Sequence, residues 1–206
     1  MHDSLSSDHP SIHQFLNQIL KEDGSSQKDK ALAIYFAVRD QIVYNPYEIQ
    51  LQTNAVRPEF CLSKGSGHCI DKAVLFVASC RLAGIEAKLG MAKVQNHIGT
   101  SNFEKKLGTN VLVPHGYAAC NLDGTWLKCT PAFNKSLCEK LGVAPLNWDG
   151  ESDSLFQPYN IDGNQFMEYL EDFGLFESFP SEYIVDLMKA EYPGNFDRNG
   201  EWIPMV

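Results

Sequence analysis

The sequence predicts an α+β fold, and three observations carry that prediction. Apolar residues recur at helical spacing early in the chain; Asp123-Gly124 joins two segments of strand character; and a glycine-rich turn, Lys64-Gly65-Ser66-Gly67-His68-Cys69, delivers a cysteine to the start of a strongly amphipathic segment. The 206 residues, 44% hydrophobic, suffice for one sizeable core and are short for two, so a single domain over 1–206 is expected. A net charge of −9 with no run of Lys or Arg argues against nucleic acid or an anionic membrane surface as partner and favours peptides, proteins or small molecules. The polar first ten residues lack the apolar stretch of a leader, and no apolar run is long enough to span a bilayer, so a soluble, cytoplasmic protein is expected. In that setting six cysteines read as reduced thiols and not as a disulfide framework.

Ile12, Phe15, Leu16, Ile19 and Leu20 form one apolar stripe, with Ser11 available as N-cap after Pro10, and the first helix should end near Asp23-Gly24. A polar loop over 24–30 leads to a second amphipathic helix through Ala31, Ile34, Tyr35, Val38 and Ile42, ending before Asn45-Pro46. Periodicity fades over 47–67, which suggests an irregular approach to Cys69. Ile70, Ala73, Val74, Val77 and Cys80 then mark the cysteine-bearing helix, stopped at Gly84. Ile85, Ala87, Leu89 and Met91 alternate with less apolar residues as in a half-buried strand, and 96–110 reads as loop. Segments 116–122 and 125–130 flank Asp123-Gly124, which suits a two-residue type I′ hairpin. A long surface loop over 145–163 precedes two helical patterns, 165–173 through Phe166, Tyr169 and Leu170, and 181–190 through Ile184, Val185, Leu187 and Met188. Residues 145–206 thus read as a helical C-terminal extension.

At a helix N-terminus, unpaired N–H groups and the macrodipole favour a thiolate, which makes Cys69 a candidate nucleophile whose own N–H could serve as one oxyanion donor. His115, just ahead of the hairpin, is the candidate base. A two-residue turn pairs Leu122 with Thr125 and, in register, Tyr117 with Thr130 and His115 with Ala132. Alternation then sets His115, Tyr117, Trp126 and Thr130 on one face and turns Cys120 and Cys129 to the other. Thr130 becomes a diagonal neighbour of His115, with Cα atoms roughly 7–8 Å apart. His68 is expected in a capping or solvated role, and His97 facing water. No zinc-ligand spacing occurs, and Asp149-Gly150-Glu151-Ser152-Asp153 departs from a calcium loop at its sixth and twelfth positions, so neither a metal nor a cofactor is expected.

The chain resembles the transglutaminase-like superfamily of papain-like fold, whose members include cysteine peptidases, amidases and acyltransferases. The resemblance runs over residues 31–134. Its parts are Ala31-Leu32-Ala33-Ile34-Tyr35 through Val38-Arg39-Asp40-Gln41-Ile42-Val43-Tyr44, Gly67-His68-Cys69, Leu75, Arg81-Leu82-Ala83-Gly84-Ile85-Glu86-Ala87, His115 and Trp126. It implies N-terminal helices with the nucleophile at a helix start, packed on an antiparallel sheet, with Cys69 as nucleophile and His115 as general base. The family pattern places an aspartate, followed by proline, four residues after the tryptophan; here that position is Thr130, followed by Pro131. Threonine can accept a hydrogen bond from the imidazole but carries no charge. Thr130 is therefore the expected third residue, with Asn134 the alternative. The implied activity is that of a thiol-dependent hydrolase or acyltransferase at an amide- or peptide-type acyl bond. The alternative is a catalytically idle binding module that keeps the cleft.

Overall fold

A computed structural model describes residues 3–20, 24–49, 56–98 and 101–203. Helix α1 (Pro10–Ile19) begins at Pro10, whose fixed φ suits the first helical position, and is capped by His9 and not by Ser11. It ends at Ile19, and Asp23, where the sequence suggested a stop, lies outside the described residues. Helix α2 (Gln27–Gln41) starts with a Ser26–Asp29 capping box and leads into β1 (Val43–Tyr44), which pairs in parallel with β2 (Ser66–Gly67). Between them, 58–64 is not irregular. It forms α3 (Pro58–Lys64), with Pro58 at its first turn and Gly65 at φ 65° closing it.

Helix α4 (Cys69–Leu82) is the centre of the molecule and is buried nearly all round, including Lys72 and Ser79. The helices α1, α2 and α3 contact one side of it and the sheet covers another. That sheet is antiparallel, in the order β5-β4-β3-β6, built from β3 (Ala87–Asn96), β4 (Val111–Leu122), β5 (Thr125–Cys129) and β6 (Met167–Phe176). Ala118, Cys120, Leu122, Leu127 and Cys129 belong to the core that contains α4. Tyr117, Ala92 and Val94 face the other way, into a smaller cluster with Cys138 of α6 (Lys135–Leu141) and with Val143, Phe166 and Met167.

The expected hairpin is present in its expected register, Leu122 opposite Thr125 and Cys120 opposite Leu127. Two other expectations are corrected. Residues 101–107, read as loop, form α5 (Ser101–Leu107). Residues 167–176, read in part as helix through Tyr169 and Leu170, form β6 along the free edge of β3, pairing from Leu89–Phe176 to Asn96–Met167. An unpaired strand edge needs partners for its N–H and C=O groups, and an aromatic-rich segment suits that edge better than its helical spacing suggests. The C-terminal region therefore supplies the fourth strand as well as the expected helix, α7 (Ser181–Glu191).

Candidate active site

Cys69 is the first residue of α4, as expected, and His68 is its N-cap. His68 Nδ1 lies 2.5 Å from Asp71 Oδ2, which also accepts the His68 backbone N–H at 3.1 Å. The shorter contact requires the proton on Nδ1, so the 3.4 Å approach of the Asp71 N–H to that nitrogen is not a full capping bond. Asp71 thus holds the His68 ring through Nδ1.

The expected thiolate is not what the structure gives. Burial pushes the Cys69 thiol up to about 11, and the Asp71 carboxylate adds to that shift. The N–H groups of Gly116, Ile70 and Cys69 itself pull the other way but do not overcome burial. Gly116 reaches the sulfur because of how the hairpin ends. N–H groups alternate between the two edges of β4, and that of Asn121 points to Glu86 on the β3 side, so that of Gly116 points to the β5 side. There β5 has already stopped, at Cys129 opposite Ala118. Gly116 also lets the two elements approach: a Cβ there would lie 2.8 Å from the Ile70 Cα.

His115 sits on β4 opposite Ala92 and is 1% exposed. Burial, with a smaller effect of His68, pushes the imidazole down to about 4, so it is neutral at physiological pH. Cys69 and His115 line the same cleft. Behind the imidazole, a second cavity of about 260 Å³ is lined by His115, Thr130, Phe156 and Gln157. The ring of Phe156 meets that of His115 edge-on at 5.3 Å. His115 thus lies between Cys69 in the first cavity and Thr130 in the second, without hydrogen bonds between them. Among the described residues, neither nitrogen of His115 nor Oγ1 of Thr130 has a hydrogen-bond partner. The ladder that should set Thr130 opposite Tyr117 is not continued, because the Thr130 N–H donates instead to Ser154. The Tyr35 hydroxyl lies 3.2 Å from the Thr130 carbonyl. Asn134, the alternative, is committed elsewhere: its Oδ1 accepts the Tyr44 N–H and its Nδ2 donates to Ser136. His97 lies away from the cleft, 2.9 Å from Glu168.

Residues 14–131 match the sequence profile of the Transglutaminase-like superfamily. This chain belongs to that superfamily. The α+β arrangement expected of a transglutaminase-like protein, helices leading to a cysteine-bearing helix on an antiparallel sheet, is the one observed. No curated protein matches the chain in sequence. Among solved structures, a candidate cysteine protease from Cytophaga hutchinsonii superposes with a TM-score of 0.47 at 17% identity, over 64% of this chain and 40% of that one. A candidate protease from Parabacteroides distasonis gives 0.42 at 14% identity, over 61% and 24%. The chain thus spans well under two thirds of either protein. In this transglutaminase-like chain one cleft residue escaped the sequence reading as a site residue. Tyr44 lines the cleft with Cys69, and its phenol is pushed up by burial first and then by the charge Cys69 would carry. The Ile42-Val43-Tyr44 stretch was the signal that could have found it.

Proposed function

We propose that this protein is a thiol-dependent hydrolase or acyltransferase acting on an amide- or peptide-type acyl bond through Cys69 and His115. The observation that carries the reading is that one cleft is lined by a helix-starting cysteine and a neutral, buried histidine in a chain of the transglutaminase-like superfamily. The resting pair is thiol and imidazole. As the Cys69 sulfur attacks the acyl carbon, its proton passes to His115, and the imidazolium then gives that proton to the departing amine as the bond to the acyl carbon breaks. Water, deprotonated by the same imidazole, next cleaves the thioester, returning the carboxylic acid and the free thiol. The Cys69 N–H and the Tyr44 phenol are the two donors we assign to the developing oxyanion. Thr130 fills the third position as an uncharged neighbour behind the ring. Hydrolysis is preferred to protein crosslinking because nothing in the cleft identifies a site for an acceptor amine. Six unpaired thiols support a reducing, cytoplasmic setting.

Profiling a broad panel of acyl esters and amides tests the reading. Turnover should vanish in Cys69→Ala and fall by roughly 10²–10⁴ in His115→Ala; turnover that survives the loss of Cys69 overturns it. A second reading, a binding module that no longer catalyses, is favoured by the unpartnered imidazole and by Thr130 in place of the acid. Under that reading ligands bind but no member of the panel is turned over.

A further inference from the structure

Beside Cys69 and His115 the cleft is walled by side chains that offer a ligand neither charge nor counter-charge. Leu112 on β4, Phe103 and Leu107 on α5, and Ile184 and Met188 on α7 form much of its surface, and none of its described lining residues is Asp, Glu, Lys or Arg. The two charged side chains that follow Cys69 on α4 are bonded away from it. Asp71 accepts from His68, and Lys72 Nζ donates to the Arg39 and Ile42 carbonyls at 3.0 and 2.6 Å. His68, which also lines the cleft, has its Nδ1 bonded to Asp71. An ionised group entering the cleft would therefore lose its water without gaining a partner, whereas an apolar group would gain by leaving water.

We propose that this cleft is an acyl-group pocket selective for uncharged, apolar acyl groups. The proposal rests on the reading of Cys69 as the nucleophile. Two sources share the chemistry, the aliphatic or aromatic residue of a peptide and a medium-length alkanoyl chain. Charged acyl donors such as glutamyl, succinyl and lysyl groups are rejected.

Two measurements on the full chain test it. The first compares turnover of esters that share one leaving group and carry leucyl, phenylalanyl, hexanoyl, succinyl, glutamyl or lysyl acyl parts, with only the α-amino group capped in the aminoacyl compounds. The apolar members should exceed the charged ones by roughly tenfold or more in kcat/KM, corresponding to one buried, unpaired charge. The better of the leucyl and phenylalanyl arms against the hexanoyl arm tells which source fits. The second measurement does not need turnover. At mildly alkaline pH, N-benzyliodoacetamide should alkylate Cys69, located by peptide mass mapping, at least tenfold faster than iodoacetate after correction for their rates with free cysteine. Leu112→Glu, at a partly buried position, should narrow that ratio and lower turnover of the apolar esters. Apolar-selective labelling with no ester turned over would leave the pocket standing and defeat the enzyme reading. Equal or better use of charged esters would overturn the pocket and leave the enzyme reading intact. Failure of both reagents to reach Cys69, with no turnover, would overturn both.

Discussion

At the scale of single residues, position 130 is where the proposed site departs from the family pattern. Thr130 brings no charge to His115, whose imidazole burial, with a smaller effect of His68, holds near 4. Thr130→Asp would place a carboxylate against the ring across the second cavity. The His115 titration midpoint, followed by NMR, should then rise by more than about one pH unit, because an adjacent anion favours imidazolium. An unchanged midpoint would mean that position 130 does not act on the ring. Gly116 is a second sensitive point, since a Cβ there would come within 3.0 Å of both the Cα and the backbone nitrogen of Ile70. Gly116→Ala should force the first turn of α4 away from β4 and cost roughly 1–3 kcal/mol in urea unfolding. It should also change the alkylation rate of Cys69, which the Gly116 N–H helps to hold. Wild-type stability and reactivity in this variant would show that the close approach is not needed.

At the scale of elements, two tethers fix the walls of the cleft. Lys72, fully buried on α4, donates to the carbonyls of Arg39 and Ile42 at the end of α2, which otherwise have no helical partner. Lys72→Met should leave them unpaired and cost on the order of 1–3 kcal/mol, read from the urea midpoint. Tyr192, just after α7, accepts the Val113 N–H at 2.6 Å and donates to the Val111 carbonyl at 2.8 Å, pinning that helix beside the strand that carries His115. Tyr192→Phe should loosen α7, seen as faster hydrogen exchange in 181–191 and faster alkylation of Cys69; unchanged exchange would show that apolar packing alone holds the helix. The elements legible in the sequence were those whose pattern and burial agree: α1, α2, the β4–β5 hairpin and α7. Helix α4 was legible from its glycine-flanked ends and its spacing, although it is buried nearly all round. The strand β6 was misread because Phe166, Tyr169 and Leu170 keep helical spacing, while the open edge of β3, invisible locally, decides their state. Helix α3 was missed because periodicity fades over 47–67, although Pro58 stands at a helix start. Cys69 and His115 were legible as candidates, and they line one cleft. The electrostatics of that cleft were not legible, because the helix-start argument for a thiolate takes no account of the burial of Cys69 or of Asp71 at the same helix end.

At the scale of the whole molecule, a neutral histidine in the interior ties folding to pH. With the folded imidazole near 4 and its ordinary value 6.5, the unfolded chain takes up the proton first as pH falls. The contribution of His115 to stability is therefore complete above about 6.5, declines between about 6.5 and 4, and by linkage amounts to on the order of 3 kcal/mol. Urea midpoints across that window should fall in the wild type and fall less in His115→Phe; parallel curves would place the proton uptake elsewhere. The same burial that lowers the histidine raises the cysteine, so the proposed reaction runs through proton transfer within a neutral pair and not through a standing thiolate. Intact-mass analysis of the protein mixed with an apolar acyl ester, followed by peptide mapping, tests that assignment most directly. An acyl group should appear on Cys69, be absent from Cys69→Ala, and form roughly 10²–10⁴ times more slowly in His115→Ala. Acylation at another residue, or at Cys69 with an undiminished rate when His115 is removed, would contradict it.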